Sequence, residues 1–337
     1  MKNRSVVFTG KNQVEIVDRE LEPLKPGEMR VKTRQSMISI GTELTILTQE
    51  NCDKDSFWVE YGSYPYYPGY NNIAEVVEVT DPKDKHLLGK QIYTYLPHAE
   101  YGVVSSEKDY HLLVDGVAPE EAIFATFAEI ILQGIRRGRS TWGESAVVYG
   151  AGLLGQLTAD FLRIAGVYPV IVCDTSDARL DMLTKSPMII PVNPTKQDVK
   201  EVVKEATKGR MADVVYELTG VASLIPQEMD LLHEQGRIVI LSSPRGKTTM
   251  DFHDYVNRPS LEIIGAHNFS HTPVATLNNP WTNERDHEIF MNAVLNKQLD
   301  VTRLISHREH FTKAVEMYEM LIKDRSKTMG VLFDWDK

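Results

Sequence analysis

Residues 145–174 read SAVVYGAGLLGQLTADFLRIAGVYPVIVCD. Ser145–Tyr149 is a short apolar, β-branched run, as a buried parallel strand requires. It enters Gly150-Ala151-Gly152-Leu153-Leu154-Gly155, a G-x-G-x-x-G turn. Apolar residues then recur at helical spacing from Leu153 to Ala165, and Gly166 stops the helix. Pro169–Cys173 reads as a second strand, closed by Asp174. Glycines alone produce such a hexapeptide by chance. A strand before it, a helix after it and an acid at the next strand end make it a dinucleotide site. Gly150 allows the tight turn, Gly152 lets the backbone approach a pyrophosphate, and Gly155 lets helix and strand pack closely. The first helical residues, Leu153 and Leu154, bring free N–H groups and a positive dipole end to the phosphates. Asp174 lies roughly 20 residues on, where an acid accepts hydrogen bonds from a ribose diol. Its charge repels a 2′-phosphate, so NAD is favoured over NADP. Thr175 borders the same ribose, and Arg179, close behind, moderates the preference.

The chain has 337 residues, enough for two domains with real cores. Charged residues make up 25% and hydrophobic ones 42%, as in ordinary globular proteins. A net charge of −10 argues against a nucleic-acid partner and against an anionic membrane surface. No apolar run approaches the ~20 residues of a membrane-spanning helix. The first residues, MKNRSVVFTGKNQ, carry no secretory pattern, so a cytoplasmic location is expected. Cys52 and Cys173 exclude a disulfide framework and a cysteine-rich zinc lobe.

Outward from the glycine turn the chain divides. Before it, Met29–Thr33, Ile73–Val79, Gln91–Leu96 and Tyr101–Val104 are short strands between turn signals, the pattern of a barrel-like β domain. Pro119–Arg137 is expected as a helix. After the turn, strands alternate with helices: Ile189–Val192, a helix over Asp198–Thr207, Asp213–Glu217, a helix over Pro226–His233, Gly236–Leu241 and Leu261–Gly265. Alternation of this kind implies right-handed crossovers and a parallel sheet. Helices follow at Glu284–Asn296 and Thr312–Ile322, with a last strand at Gly330–Asp334. The expected fold is α/β, with a β domain over 1–140 and 300–337 and a doubly wound Rossmann domain over 141–299.

Pro68-Gly69-Tyr70-Asn71-Asn72-Ile-Ala-Glu-Val-Val-Glu-Val resembles P-G-H-E-x-x-G-x-V-x-x-V, and Ile40-Gly41-Thr42-Glu43 resembles C-G-T-D. With Ala99-Glu100-Tyr101, the glycine turn and Thr219-Gly220, these motifs are similar to those of the medium-chain dehydrogenase/reductase superfamily. The resemblance covers nearly the whole chain and implies a GroES-like β-barrel catalytic domain beside the Rossmann domain. It also implies a homodimer or homotetramer, a small-molecule alcohol or ketone substrate, and cofactor contacts at Thr219, Ser242 and His267. Ser-Ile-Gly-Thr-Glu, Pro-Gly-Tyr and Pro-His-Ala-Glu-Tyr are similar to one branch, whose members oxidise sugars, cyclitols and a bacteriochlorophyllide hydroxyethyl group.

The departures decide the chemistry. Zinc members carry Cys where this chain has Ile40 and His where it has Tyr70. Asn71 replaces the adjacent Glu, and the third ligand position falls near Thr126. Isoleucine cannot bind zinc, and neutral Tyr, Asn and Thr are poor ligands. No catalytic zinc is expected at the usual site; a substitute set of His98, Glu43 and Glu100 is the rival. Without zinc, side chains must take the hydroxyl proton or hydrogen-bond the oxygen. His98 is the first acid/base candidate because an imidazole titrates near neutrality. Tyr70, Glu43 and Thr42 follow, though Thr42 and Glu43 also suit a helix N-terminus. Trp58, Tyr67, Asn71, Asn268 and His271 are expected as pocket walls, and Trp281 and Arg285 near them. The expected activity is NAD-linked, zinc-independent interconversion of a secondary alcohol and a ketone on a sugar, cyclitol or similar polyol. A zinc-free quinone- or enoyl-type reductase and a non-catalytic NAD-binding subunit are the alternatives.

Overall fold

The computed structural model describes residues 2–336. In chain order the first strands are β1 (Lys2–Gly10), β2 (Gln13–Glu20), β3 (Glu28–Met37), β4 (Asn72–Val79), β5 (Gln91–Thr94), β6 (Tyr101–Ser105) and β7 (Tyr110–Leu112). The middle strands are β8 (Ala146–Tyr149), β9 (Val170–Cys173), β10 (Ile189–Val192), β11 (Ala212–Glu217), β12 (Leu232–Ile240) and β13 (Glu262–Gly265). Two more, β14 (Ile305–His310) and β15 (Gly330–Asp334), complete the set. The chain forms two compact units, Met1–Thr126 with Asp300–Lys337, and Phe127–Leu299.

In the first unit, β14-β15-β3-β4-β5-β7 form one sheet, β6 pairs with β3, and β1 pairs with β2. All these pairs are antiparallel except β14 with β15. The alternation in Met29–Thr33 appears as Met29 and Val31 at 0% exposure, packed with Ala74, Val76 and Ile92. A second core joins Phe8, Ile38, Leu44, Leu47, Tyr318 and Phe333. Helix Ala314–Lys323 and strand β15 thus return from the far end of the sequence to fill the first domain's interior.

The second unit is a six-stranded sheet in the order β10-β9-β8-β11-β12-β13, every pair parallel. This is the doubly wound order, reversing between β8 and β11. Val147, Ile171, Val192, Val215 and Ile238 share one core with Met229 and Leu231. Each such side chain contributes roughly 1.5–3 kcal/mol by leaving water. Cys173 lies inside this core, and burial pushes its thiol up to about 12, which makes it inert packing.

Three boundaries differ from the sequence reading. The expected helix Pro119–Arg137 is two, Pro119–Ala122 and Ala125–Gly138. The unit boundary falls at Thr126, inside the second helix, rather than at 140. Gly134 and Gly138 explain this: a Cβ at either would press on Leu241, or on Tyr216 and Val239, of the parallel-sheet unit. The helix expected over Pro226–His233 spans Ile225–Met229, because β12 begins at Leu232, where that residue pairs with Ala212.

Candidate active site

The glycine turn is built as its chemistry demands. Gly150 has φ +104°, and a Cβ there would stand 3.0 Å from the Leu218 carbonyl group. A Cβ on Gly155 would lie 1.8 Å from the Gly150 oxygen, so helix Leu153–Ile164 approaches the turn only as glycine. At Gly152, the N-cap of that helix, a Cβ would meet nothing within 4 Å. Open space above a helix N-terminus is what a pyrophosphate needs. Leu153 and Leu154 are half-buried in the first helical turn.

Asp174 follows β9 and faces the turn. Its Oδ2 accepts from the Ala151 amide at 2.8 Å, and its Oδ1 accepts from the Ser176 amide at 2.8 Å. Arg179 stands 3.7 Å from Oδ2. Gln156 donates to the carbonyls of Arg179, at 2.7 Å, and Ala151, at 3.2 Å, which ties the acid's loop to the glycine turn. Thr175 is exposed beside it, and its carbonyl accepts from Asn193.

Sequence reasoning missed Glu217, the last residue of β11, although an acid stands there directly before Leu-Thr-Gly. It is fully buried. Its Oε1 accepts from the Thr219 amide at 2.7 Å, the Thr219 hydroxyl at 2.6 Å and the Gly220 amide at 2.8 Å. Its Oε2 accepts from the Ser242 hydroxyl. The expected cofactor residues Thr219 and Ser242 are therefore gathered on one carboxylate. His267 is exposed, and its Nδ1 accepts from the Phe269 amide at 3.3 Å.

The first unit gathers another set. Ser39 caps helix Ile40–Thr48, and Glu43 turns back so that its Oε1 accepts from the Ser39 amide at 2.8 Å. The Tyr318 hydroxyl donates to Glu43 Oε2, and His98 Nε2 lies 3.3 Å from the same oxygen. His98 Nδ1 meets Ser36 Oγ at 2.8 Å, and Ser36 also accepts from the Trp335 indole at 2.8 Å. His98 has 0% exposure and Glu43 1%. Both sit inside the domain with their polar atoms hydrogen-bonded. Glu100, the third member of the rival metal set, is held instead by Arg4 at 3.0 Å.

Tyr70 is only half-buried. Its hydroxyl bonds the Ser39 hydroxyl and lies 3.5 Å from Thr42 Oγ1, which makes a chain of three hydroxyls. Burial pushes its phenol up to about 12, against the lowering effect of Ser39 and Thr42. Asn71 is fully buried, and its Oδ1 accepts from the Tyr93 hydroxyl at 3.1 Å; that hydroxyl also bonds Thr126. Ile40 packs against the apolar core.

The expected pocket walls divide between the two units. Trp58 packs on the first unit's core beside Phe57 and Tyr61, and Tyr67 lies under the Arg19 guanidinium at 4.6 Å. Asn71, being fully buried, braces Tyr93 rather than lining an open face. In the second unit, Asn268 and His271 belong to one loop anchored on helix Asn283–Leu295. His271 Nδ1 faces the Asn268 carbonyl at 2.8 Å, and its Nε2 faces Asp286 at 3.3 Å. Burial pulls this imidazole down, but the two acceptors leave it above its ordinary value. The guanidiniums of Arg136, at 3.5 Å, and Arg285, at 4.1 Å, both lie over the Trp281 ring.

Residues 154–279 match the family described as zinc-binding dehydrogenase. The L-threonine 3-dehydrogenase of Pyrococcus horikoshii is 26% identical over 285 residues, covering 74% of this chain and 78% of that protein. The erythritol/L-threitol dehydrogenase of Mycolicibacterium smegmatis is 28% identical over 169 residues, 50% of this chain and 47% of that one. An alcohol dehydrogenase of Escherichia coli CFT073, solved with the cofactor NADH, superposes with a TM-score of 0.82 over 99% of both chains at 18% identity. Among the described residues no helix is long and apolar enough to cross a membrane.

Proposed function

The chain belongs to the medium-chain dehydrogenase/reductase superfamily, and from that premise we propose that it is an NAD-linked dehydrogenase interconverting a secondary alcohol and a ketone on a sugar, cyclitol or other polyol, without zinc. The observation that carries the reading is the glycine turn with open space at Gly152 and Asp174 beside it. These residues fit NAD: a dipole end for the pyrophosphate and an acid for a ribose diol. NAD, when bound, supplies the hydride acceptor.

The chain's own residues handle the oxygen. In ketone reduction, Tyr70 donates a hydrogen bond and then its proton to the carbonyl oxygen. In alcohol oxidation, the hydroxyl proton is relayed through the Ser39–Tyr70–Thr42 hydroxyls to solvent water, each hydroxyl releasing one proton as it takes one, and the reverse relay reprotonates Tyr70 after ketone reduction. A phenol held near 12 stays protonated at neutral pH, so Tyr70 is the donor of the pair and not a standing base. Glu43 and His98 act one layer behind it: Glu43 holds the Ser39 amide, and His98 holds Glu43. Tyr70→Phe is expected to lower kcat about a hundredfold or more while NADH affinity stays unchanged, as followed by nicotinamide absorbance on a polyol panel.

Support for a metal-free reaction comes from the donor chemistry at the positions zinc relatives use. Ile40, Tyr70, Asn71 and Thr126 offer no thiolate, imidazole or carboxylate, and the hydroxyls of Tyr70 and Thr126 are already bonded. Extended dialysis against a chelator is expected to leave turnover intact. One observation favours a second reading: Glu129 and His287 form a buried pair 3.2 Å apart, two groups of the kind zinc accepts. Stoichiometric zinc whose removal abolishes turnover would establish that reading and end the metal-free one. NAD preference is tested by Asp174→Gly, which should lose most of the discrimination against NADP. Equal use of both cofactors by the wild type would refute it.

A further inference from the structure

Glu217 stands at the topological switch point of the parallel sheet. It pairs with Tyr149 of β8 on one side and with Ile240 of β12 on the other. The crevice outside the strand ends at this reversal is where such sheets hold their ligands. The loop after β11 borders the glycine turn directly, since a Cβ on Gly150 would stand 3.2 Å from the Thr219 nitrogen. From below, Glu217 draws the Thr219 and Gly220 amides and the Thr219 hydroxyl onto one oxygen and the Ser242 hydroxyl onto the other. Its own carbonyl accepts from the Ser242 amide at 3.0 Å, and Gly220 accepts from the Arg245 amide at 3.1 Å. Two loops that share no sequence neighbourhood are therefore tied to one another by this buried carboxylate together with two backbone bonds, and the first of them lies against the glycine turn.

We propose that Glu217 is a positioning residue for the dinucleotide: its carboxylate sets the height of the 218–221 and 241–245 loops beside the glycine turn, and so sets cofactor affinity. The inference rests on the NAD reading given above. A carboxylate suits the task because it accepts at both oxygens without competing donors, and charge-assisted bonds are about twice as strong as neutral ones. Gln keeps one acceptor oxygen at the three-donor corner, and Ser242 can rotate to accept from the new amide. Ala leaves four donors without an acceptor.

The test is NADH binding, read from nicotinamide fluorescence, with the full chain. Glu217→Ala is expected to raise Kd about tenfold or more, and Glu217→Gln to stay within about threefold of wild type. Ser242→Ala, which loses one bond, should weaken binding about threefold. Glu228→Gln, a change to a second buried carboxyl of the same domain, should leave Kd unchanged. A folded Glu217→Ala with wild-type Kd and only a lower melting temperature would overturn the inference while the NAD reading stands. If that variant does not fold, an unchanged Kd in Ser242→Ala overturns it. A wild type that binds no NADH ends the NAD reading, and the inference falls with it.

Discussion

Gly155→Ala is expected to abolish NADH binding and to destabilise the protein by about 3 kcal/mol. The added methyl would sit 1.8 Å from the Gly150 carbonyl oxygen, far inside the 3.0 Å below which such contacts do not occur. No side-chain rotation relieves this, because both partners are backbone. Helix Leu153–Ile164 must move off β8, and the N–H groups at its start leave the phosphate position with it. Gly152→Ala separates the two halves of this effect. Its methyl meets nothing within 4 Å, so the melting temperature should not move, whereas a bound pyrophosphate loses its approach to the backbone. Kd for NADH is expected to rise roughly tenfold or more in that variant. Equal melting temperatures for wild type and Gly155→Ala would refute the packing argument. Unchanged NADH affinity in Gly152→Ala would refute the assignment of that space to the cofactor.

These glycines were legible in the sequence because the constraints on them are local. A turn, a helix start and a strand end within thirty residues leave their mark in contiguous residue types. The constraints on the first unit's polar cluster are not local. Glu43 is held by Tyr318 and His98, and Ser36 by Trp335 and His98, pairs separated by up to 299 positions. Nothing in the spacing of Pro-His-Ala-Glu distinguishes an imidazole that meets solvent from one locked between Ser36 and Glu43. Chemistry alone therefore puts His98 first among acid/base candidates, while its burial between Ser36 and Glu43 is fixed by contacts far apart in the sequence. Glu43 and Thr42 divide along the alternative that the motif itself offered: Glu43 turns back onto the Ser39 cap, and Thr42 stays within reach of Tyr70. Trp58 and Tyr67 have partners of the same kind, the first unit's core and the Arg19 guanidinium, that the aromatic stretch does not announce.

Glu228→Gln is expected to stabilise the protein by an amount that grows with pH. Glu228 lies in helix Ile225–Met229 at 0% exposure, and neither carboxyl oxygen has a hydrogen-bond partner among the described residues. Burial, reinforced by the nearby Glu217 carboxylate, pushes its pKa from 4.5 up to about 9. Below pH 4.5 the group is protonated in both folded and unfolded chains and has no effect on the balance. Between 4.5 and 9 the folded chain keeps the proton and the unfolded chain releases it, so stability falls by about 1.4 kcal/mol per pH unit. Above 9 both forms are ionised and the loss levels off. At pH 7 the wild type has therefore forgone about 3 kcal/mol. Gln has the same shape and does not titrate. Urea unfolding of both proteins at pH 5, 7 and 8.5 should show a gap that widens with pH, small at the first value and several-fold larger at the last. A gap of constant size would mean that Glu228 is ionised in the folded state at all three values. The domain would then have to carry a second buried carboxylate close to Glu217, and the loops that Glu217 holds would bear that repulsion.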